Sequence, residues 1–180
     1  MFTGVRKDGL TPEFDHHVVQ VQYMRTLLPH LMFPEETLCA IFFHDTPEDC
    51  GVSYGEIRGA FPEDPEFGNR VAQAVQRVTK KWRGEVYEEN SLFAAMAECP
   101  ISSLVKGGDR FHNLQSMMGV FSLDKQRRYL EETERFILPM LKDAERRFPE
   151  QESAYKNIRT TLKMQVALYH HFLDKLVTPN

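Results

Sequence analysis

The stretch Phe42-Phe43-His44-Asp45-Thr46-Pro47-Glu48-Asp49 ends an apolar run and carries four side chains that can bind a cation or a water molecule. Side chains three or four residues apart lie on one face of a helix, so Glu48 and Asp49 are expected beside Asp45. The run Leu38–Phe43 that precedes them is apolar throughout, which predicts a helix buried on most sides. The stretch therefore predicts a polar site at the end of a buried helix.

Helical periodicity dominates the rest of the chain, and no run of period-2 alternation or internal repeat interrupts it. A first helix follows residue 12, and another is expected over roughly residues 85–98, after a basic loop at 79–84. Two long helices, near 124–148 and 150–177, complete the chain, and Pro139 should kink the first of them. At 180 residues, the chain is long enough to form its own core. We expect one all-α domain over residues 1–180.

The composition excludes several classes of function. A net charge of -4 disfavours a general nucleic-acid or membrane-surface role, and no apolar run is long enough to span a bilayer. The three cysteines (Cys39, Cys50 and Cys99) form no CxxC pair and suit a reducing compartment. The N-terminal residues lack the apolar core of a signal peptide. A cytoplasmic protein without a membrane or nucleic-acid partner is therefore expected.

A second informative segment runs from Ile101 to Leu114 and contains adjacent glycines, Gly107 and Gly108, followed by Asp109. Each glycine costs a helix about 1 kcal/mol relative to alanine, so the pair predicts close packing, here against the helix that ends at His44. Imidazoles and carboxylates from distant segments can share one metal ion. The candidate ligands are a histidine near the start of the first helix, the His44-Asp45 pair and Asp109.

Taken together, these residues resemble the HD-domain phosphohydrolases, and in particular the hydrolase part of the Rel/Spo alarmone (ppGpp) enzymes. The resemblance extends over roughly residues 4 to 145. It implies a single HD-domain helical bundle. The similar segments are Phe43–Asp49, Val78–Lys80, Lys106–Asn113, and Glu132-Thr133 with Pro139 following.

The resemblance implies that His44, Asp45 and Asp109 are metal ligands. For the first ligand, the family's Pro-x-x-x-His spacing selects His16, whereas the apolar face that continues along the helix favours His17. Two histidines and two aspartates suit a first-row ion. The family implies Mn²⁺ as the cofactor.

The family also implies catalytic and substrate-binding residues. Glu48 and Asp49 would act on the attacking water, since a carboxylate beside a metal-bound water can accept its proton. Ile137 stands where the family has a tyrosine that is expected near the nucleotide sugar, which predicts an altered pocket. The residues expected to contact the nucleotide are Arg6, Lys7, Lys80, Asn113 and Ser116.

The predicted function is that of a metal-dependent phosphohydrolase acting on a nucleotide, with removal of the 3′-pyrophosphate from a (p)ppGpp-like alarmone favoured. The chain has no second part of synthetase size, so only degradation of the alarmone is expected. One alternative is a 5′-nucleotidase or nucleoside-triphosphate hydrolase of the same fold. Another is an HD-type di-iron oxygenase, which requires further histidine ligands such as His17 and His112. A third is a nucleotide-binding module without catalysis.

Overall fold

The computed structural model describes residues 4–6, 9–82 and 84–177. These residues are mostly helical, which confirms the all-α fold predicted from the sequence. None of their helices combines the length and the apolar composition that crossing a bilayer requires. The α-helices, in chain order, are α1 (Glu13–Arg25), α2 (Pro34–Phe43), α3 (Thr46–Cys50), α4 (Tyr54–Gly59), α5 (Pro65–Val78), α6 (Glu89–Ala97), α7 (Pro100–Ser116), α8 (Leu123–Glu132), α9 (Leu138–Arg147) and α10 (Glu152–Val177).

Helix α7 is the centre of the bundle. It packs against α1, α2, α5, α6, α9 and α10, and most of its side chains are buried. Small residues on α7 allow this crowding, because Ser102 and Ser103 are fully buried and hydrogen-bond to backbone carbonyls of the preceding turn. The Ser103 hydroxyl also lies 2.8 Å from the Tyr155 hydroxyl of α10. Residues at the C-terminal half of α7 are therefore held rigidly in the middle of the fold.

The two glycines of α7 approach other helices than the sequence suggested. A Cβ added at Gly107 would lie 3.0 Å from Ile158 Cγ2 and 3.1 Å from Leu141 Cδ2, whereas one at Gly108 would meet only Met24 Cε, at 3.4 Å. These contacts belong to α10, α9 and α1. The prediction that the pair packs against α2 was therefore wrong in its partner, although close packing is present at Gly107.

We expect Gly107→Ala and Gly108→Ala to change stability in opposite directions. Alanine gains about 1 kcal/mol of helix propensity at either site. At Gly107 the new methyl group overpacks a fully buried region, which costs about 1–3 kcal/mol. Gly107→Ala should therefore lower the free energy of unfolding and Gly108→Ala should leave it equal or higher, as measured by urea denaturation. Equal losses in both variants would contradict this packing.

A small hairpin replaces the predicted basic loop and the first turn of the predicted helix over 85–98. Strands β1 (Lys81–Trp82) and β2 (Glu85–Val86) pair antiparallel, and α6 begins only at Glu89. Gly84 has φ +89 in the turn, a conformation that side chains disfavour. The Glu88 carboxylate accepts hydrogen bonds from the backbone of Asn90 and Ser91 and caps α6. This cap explains why the helix starts later than its apolar pattern indicated.

The predicted long helix near 124–148 consists of three parts. Helices α8 and α9 are joined by a π-helical turn, Thr133–Ile137, directly before Pro139. Proline has no N–H for the helix ladder, so a wider turn ahead of it is a regular way to continue the helical path. The π-helical turn lies just before Pro139, the position at which the sequence predicts a kink.

Candidate metal and phosphoryl-transfer site

The His44-Asp45 pair lies at the junction of α2 and α3, as the sequence predicted. His44 follows the last residue of α2, and Asp45 precedes the first residue of α3. The Nδ1–H of His44 donates to the Ile41 carbonyl at 2.7 Å. Its buried Nε2 makes no regular hydrogen bond to a described residue and lies 3.1 Å from Asp45 Oδ2 and 3.8 Å from Asp109 Oδ1. Nε2 thus points at two carboxylates, which is the orientation of a metal-binding imidazole.

Both histidines near the start of α1 lie in the same cluster. His16 Nε2 is 3.3 Å from Asp109 Oδ1, and His17 Nε2 is 3.6 Å from Asp45 Oδ2. Two groups of side chains have ligand atoms close enough to share one ion. One is His16, His44 and Asp109, and the other is His17, His44 and Asp45. His44 is common to both sets. The geometry therefore keeps both histidines as candidates for the first ligand.

His16 has further polar partners that the sequence did not indicate. Its Nδ1 is 2.6 Å from His112 Nδ1, and its Nε2 is 2.5 Å from Gln20 Nε2. All three side chains are buried. His112 therefore lies behind His16 rather than against the carboxylates. Gln20 is four residues from His16, so the helical period was the only sequence signal for it.

The residues of this cluster fit a divalent metal ion. Imidazole nitrogens and carboxylate oxygens are the ligands that first-row ions prefer, and the buried Nε2 of His44 lacks a regular hydrogen bond. Burial would lower the pKa of His44, but the charges of Asp45 and Asp109 raise it to about 10. Burial and the charge of His44 lower the pKa of His17 to about 4. The carboxylates thus favour a cation at this position.

Glu48 and Asp49 have different environments although they are adjacent in α3. Glu48 Oε1 accepts hydrogen bonds from the backbone N–H groups of Lys80 at 2.6 Å and of Lys81 at 3.4 Å. Glu48 therefore fastens the start of the hairpin to α3. Burial raises the pKa of Asp49, and the charges of Asp45, Glu13 and Glu48 add to the effect. The raised pKa makes the carboxylate of Asp49 a stronger proton acceptor than an ordinary aspartate.

The side chain of Lys80 is held by Glu132, a residue to which the sequence assigned no role. Glu132 pairs with the Lys80 ammonium and with Arg110 Nη2, the latter at 2.8 Å. The Arg110 guanidinium is buried, and it lies 4.5 Å from the centre of the Tyr129 ring. Burial would raise the pKa of Glu132, but Arg110 and Lys80 lower it to about 2. Nothing in the spacing of these residues along the chain predicted their contact.

We expect Glu132→Gln to destabilise the protein mainly above the pKa of an unfolded glutamate. A carboxylate with a lowered pKa contributes stability above the ordinary value of 4.5, which is lost as the pH falls towards about 2. This shift corresponds to about 3 kcal/mol at neutral pH. Urea unfolding should give that loss near pH 7 and a much smaller one near pH 3. The exposed neighbour Glu131→Gln is the control, and an equal loss at both pH values would contradict the pairing.

The substrate-binding residues predicted from the sequence only partly face one another. Arg6 Nη2 donates to Asn113 Oδ1 at 3.2 Å, so these two are in contact. The Ser116 hydroxyl donates a hydrogen bond to the His112 carbonyl at 2.9 Å, so the hydroxyl proton is already used within α7. Lys7 lies outside the described residues.

A cavity of about 640 Å³ joins these groups. The carboxylates of α3 line one part of it, beside the ligand cluster, which consists of His16, His17, His44, Asp45 and Asp109. The aromatic rings of Phe121 and Tyr129, with centres 5.3 Å apart, line another part. Ile137 is fully buried in the core and does not line the cavity. Residue 137 therefore supplies no hydrogen-bonding group to the cavity wall. The predicted site residues on the cavity wall are Arg6, His16, Asp45, Glu48, Asp49, Lys80, Asp109, Asn113 and Ser116.

Known proteins are similar to about two thirds of this chain. No protein-family model matches the chain. It is 35% identical over 118 residues to a guanosine-3′,5′-bis(diphosphate) 3′-pyrophosphohydrolase of Aquifex aeolicus, covering 63% of this chain and 16% of that protein. It is 29% identical over 132 residues to the protein of that name from Vibrio cholerae, covering 69% and 18%.

A third relative is named as a kinase. A probable GTP pyrophosphokinase of Mycobacterium leprae is 30% identical over 132 residues, covering 70% of this chain and 16% of that protein. The chain thus spans less than a fifth of the length of these curated relatives. Over the stretch that it shares with these relatives, the chain is similar to Rel/Spo enzymes named as a pyrophosphohydrolase or a pyrophosphokinase.

Proposed function

We propose that this chain is a metal-dependent phosphohydrolase that removes the 3′-pyrophosphate from a guanosine alarmone of the (p)ppGpp type. The observation that carries the proposal is the buried cluster of histidines and aspartates that opens into a cavity of about 640 Å³ beside Asp49. The names of two relatives, both 3′-pyrophosphohydrolases of guanosine bis(diphosphate), support this substrate.

The residues that would hold the metal are His44, Asp45 and Asp109, with His16 or His17 as the fourth. We propose Mn²⁺, which accepts mixed imidazole and carboxylate ligands. When bound, such an ion lowers the pKa of a coordinated water and offsets negative charge on the phosphoryl group.

Asp49 is the proposed proton acceptor for the attacking water. Its carboxylate lines the cavity close to the ligand cluster, and its raised pKa brings it nearer to the operating pH. Glu48 is proposed to position the Lys80 segment, because its carboxylate accepts the backbone N–H groups at the start of the hairpin. The two acidic residues would then have separate tasks in one helix.

The remaining cavity residues are proposed to hold the nucleotide. Arg6 offers a planar group with several donors, suited to a phosphate or a base edge. Asn113 contacts Arg6 and also donates to Asp109 Oδ1 at 2.5 Å, so it connects the nucleotide end of the cavity to the ligand cluster. Lys80 is held by Glu132 on the cavity wall, where its positive charge would favour a phosphate group.

The proposed reaction is a hydrolysis. The water oxygen forms a bond to the phosphorus attached to the 3′-oxygen, and the bond between that phosphorus and the 3′-oxygen breaks. One water proton goes to Asp49, and the released 3′-oxygen takes up a proton. The products from ppGpp are GDP and pyrophosphate, so the diphosphate group leaves intact.

The experiment that tests the proposal separates it from its alternatives. Metal-stripped protein is supplied with Mn²⁺ and ppGpp, and GDP and pyrophosphate are quantified by ion-exchange chromatography. We expect equal amounts of both products and none with EDTA. Release of phosphate from nucleoside 5′-monophosphates or triphosphates instead would support the nucleotidase alternative and overturn the alarmone substrate.

The di-iron alternative has less support from the geometry. Of its two additional histidines, only His17 lies against a carboxylate, whereas His112 contacts His16. No hydrolysis of any nucleotide, together with two bound irons per chain and an oxygen-dependent reaction, would overturn the hydrolase proposal.

A further inference from the structure

Lys106 is a buried lysine on the wall of the cavity, one helical turn before Asp109 on α7. Its side chain is 11% exposed, and its ammonium lies 2.6 Å from Asp109 Oδ2. Burying an ammonium group is costly unless an anion pairs with it closely. The lysine therefore needs the aspartate, and their contact fixes the orientation of the carboxylate.

The two oxygens of Asp109 have different surroundings. Oδ1 lies 3.3 Å from His16 Nε2 and 3.8 Å from His44 Nε2, within the ligand cluster. Oδ2 is held on the other side by Lys106. A carboxylate that is free to rotate could present either oxygen or both to a cation, but Oδ2 of this one is engaged by Lys106. Oδ1 accepts a hydrogen bond from Asn113 Nδ2 at 2.5 Å, which leaves it a second lone pair for a cation.

We propose that Lys106 is a positioning residue that holds Asp109 Oδ2, so that only Oδ1 is presented to the metal. The inference rests on the proposed metal-dependent function. Residues that hydrogen-bond to metal ligands orient them and change the affinity for the ion. A charge-assisted hydrogen bond of this length is strong enough to do so. The lysine acts through the ligand and not on the substrate.

The contact also offsets the cost of burying Asp109. Burial opposes ionisation of this carboxyl, yet Lys106 and the histidines hold its pKa well below the usual range. Arg110, the residue after Asp109, forms its ion pair with Glu132 instead. Among the described contacts of Asp109, Lys106 is thus the cation that pairs with Oδ2.

The test measures Mn²⁺ binding to metal-stripped protein by isothermal titration calorimetry in the absence of substrate. Lys106→Met, which keeps much of the length and removes the charge, should weaken binding by about 10- to 100-fold. Lys106→Gln, which keeps an N–H donor without charge, should cause a smaller loss, about three- to tenfold, and carries the test if the methionine variant does not fold. Lys163→Met, on the exposed face of α10, is the control for loss of one positive charge and should bind like the unchanged protein.

Steady-state kinetics at saturating Mn²⁺ distinguishes positioning from substrate contact. The proposal predicts that the KM for ppGpp is little changed in Lys106→Gln, whereas the Mn²⁺ concentration for half-maximal rate rises. Unchanged Mn²⁺ affinity with a raised KM would make Lys106 a phosphate contact and overturn the inference. If the unchanged protein binds Mn²⁺ but hydrolyses no nucleotide, the proposed function fails, and the binding comparison still decides the role of Lys106. Absence of Mn²⁺ binding by the unchanged protein overturns both.

Discussion

Asp109→Asn is expected to abolish hydrolysis while leaving the fold intact. The substitution keeps the shape of the side chain, and its amide oxygen can still accept from Lys106, but the negative charge facing His16 and His44 is lost. Metal-ion catalysis contributes several kcal/mol, and each 1.4 kcal/mol is about tenfold in rate, so the expected loss is about a thousandfold or more.

The measurement is the rate of pyrophosphate release from ppGpp, together with the metal content of the purified protein. Circular dichroism should give the same helical content as the unchanged chain. Asp124→Asn is the matched control, since Asp124 is exposed in the first turn of α8, away from the cavity. Full activity of Asp109→Asn would remove the ligand cluster from the proposed mechanism.

Asp49→Asn is expected to reduce kcat far more than Glu48→Gln. An amide cannot accept the proton of the attacking water, and general-base catalysis is worth about 10²–10⁴-fold. The Glu48 carboxylate instead accepts backbone N–H groups of the hairpin, and a glutamine oxygen at that position can accept them as well. Glu48→Gln should therefore lose less than about tenfold in kcat.

The pair of variants is informative because the two residues are neighbours in one short helix. Both substitutions remove one negative charge near the ligand cluster, so their long-range electrostatic effects are similar. A larger loss for Glu48→Gln than for Asp49→Asn, measured as kcat at saturating ppGpp and Mn²⁺, would reverse the proposed roles.

The ligand cluster could be predicted from the sequence because its signals are local. The apolar run of α2, the His44-Asp45 pair at its end and the helical spacing to Asp49 are all read from twelve consecutive residues. Asp109 was a candidate ligand from its residue type, but no local pattern relates α7 to α2, and the resemblance to a known family was needed to assign its role. His16 and His17 both point into the cluster, so the periodicity of α1 could not decide between them.

The contacts that the sequence missed connect residues far apart in the chain. Glu132 pairs with Lys80, which is 52 residues away in the chain, and with Arg110. Arg6 contacts Asn113, which is 107 residues away. Such pairs are set by how the helices pack, and helical periodicity gives the face of a residue but not its partner on another helix. The hairpin was missed for a related reason, because two strands of two residues each are too short for alternation to be recognised.

The π-helical turn between α8 and α9 separates two faces of what is otherwise one helical path. Each residue of an α-helix advances the direction of its side chain by about 100°. A wider turn therefore resets the phase. Tyr129 and Glu132 before the turn line the cavity, whereas Ile137 at its end and Leu141 after it are buried in the core. Removing one residue from Thr133–Ile137 would rotate the whole of α9 relative to α8. The length of this turn, and not the identity of its residues, keeps the cavity wall and the core in register.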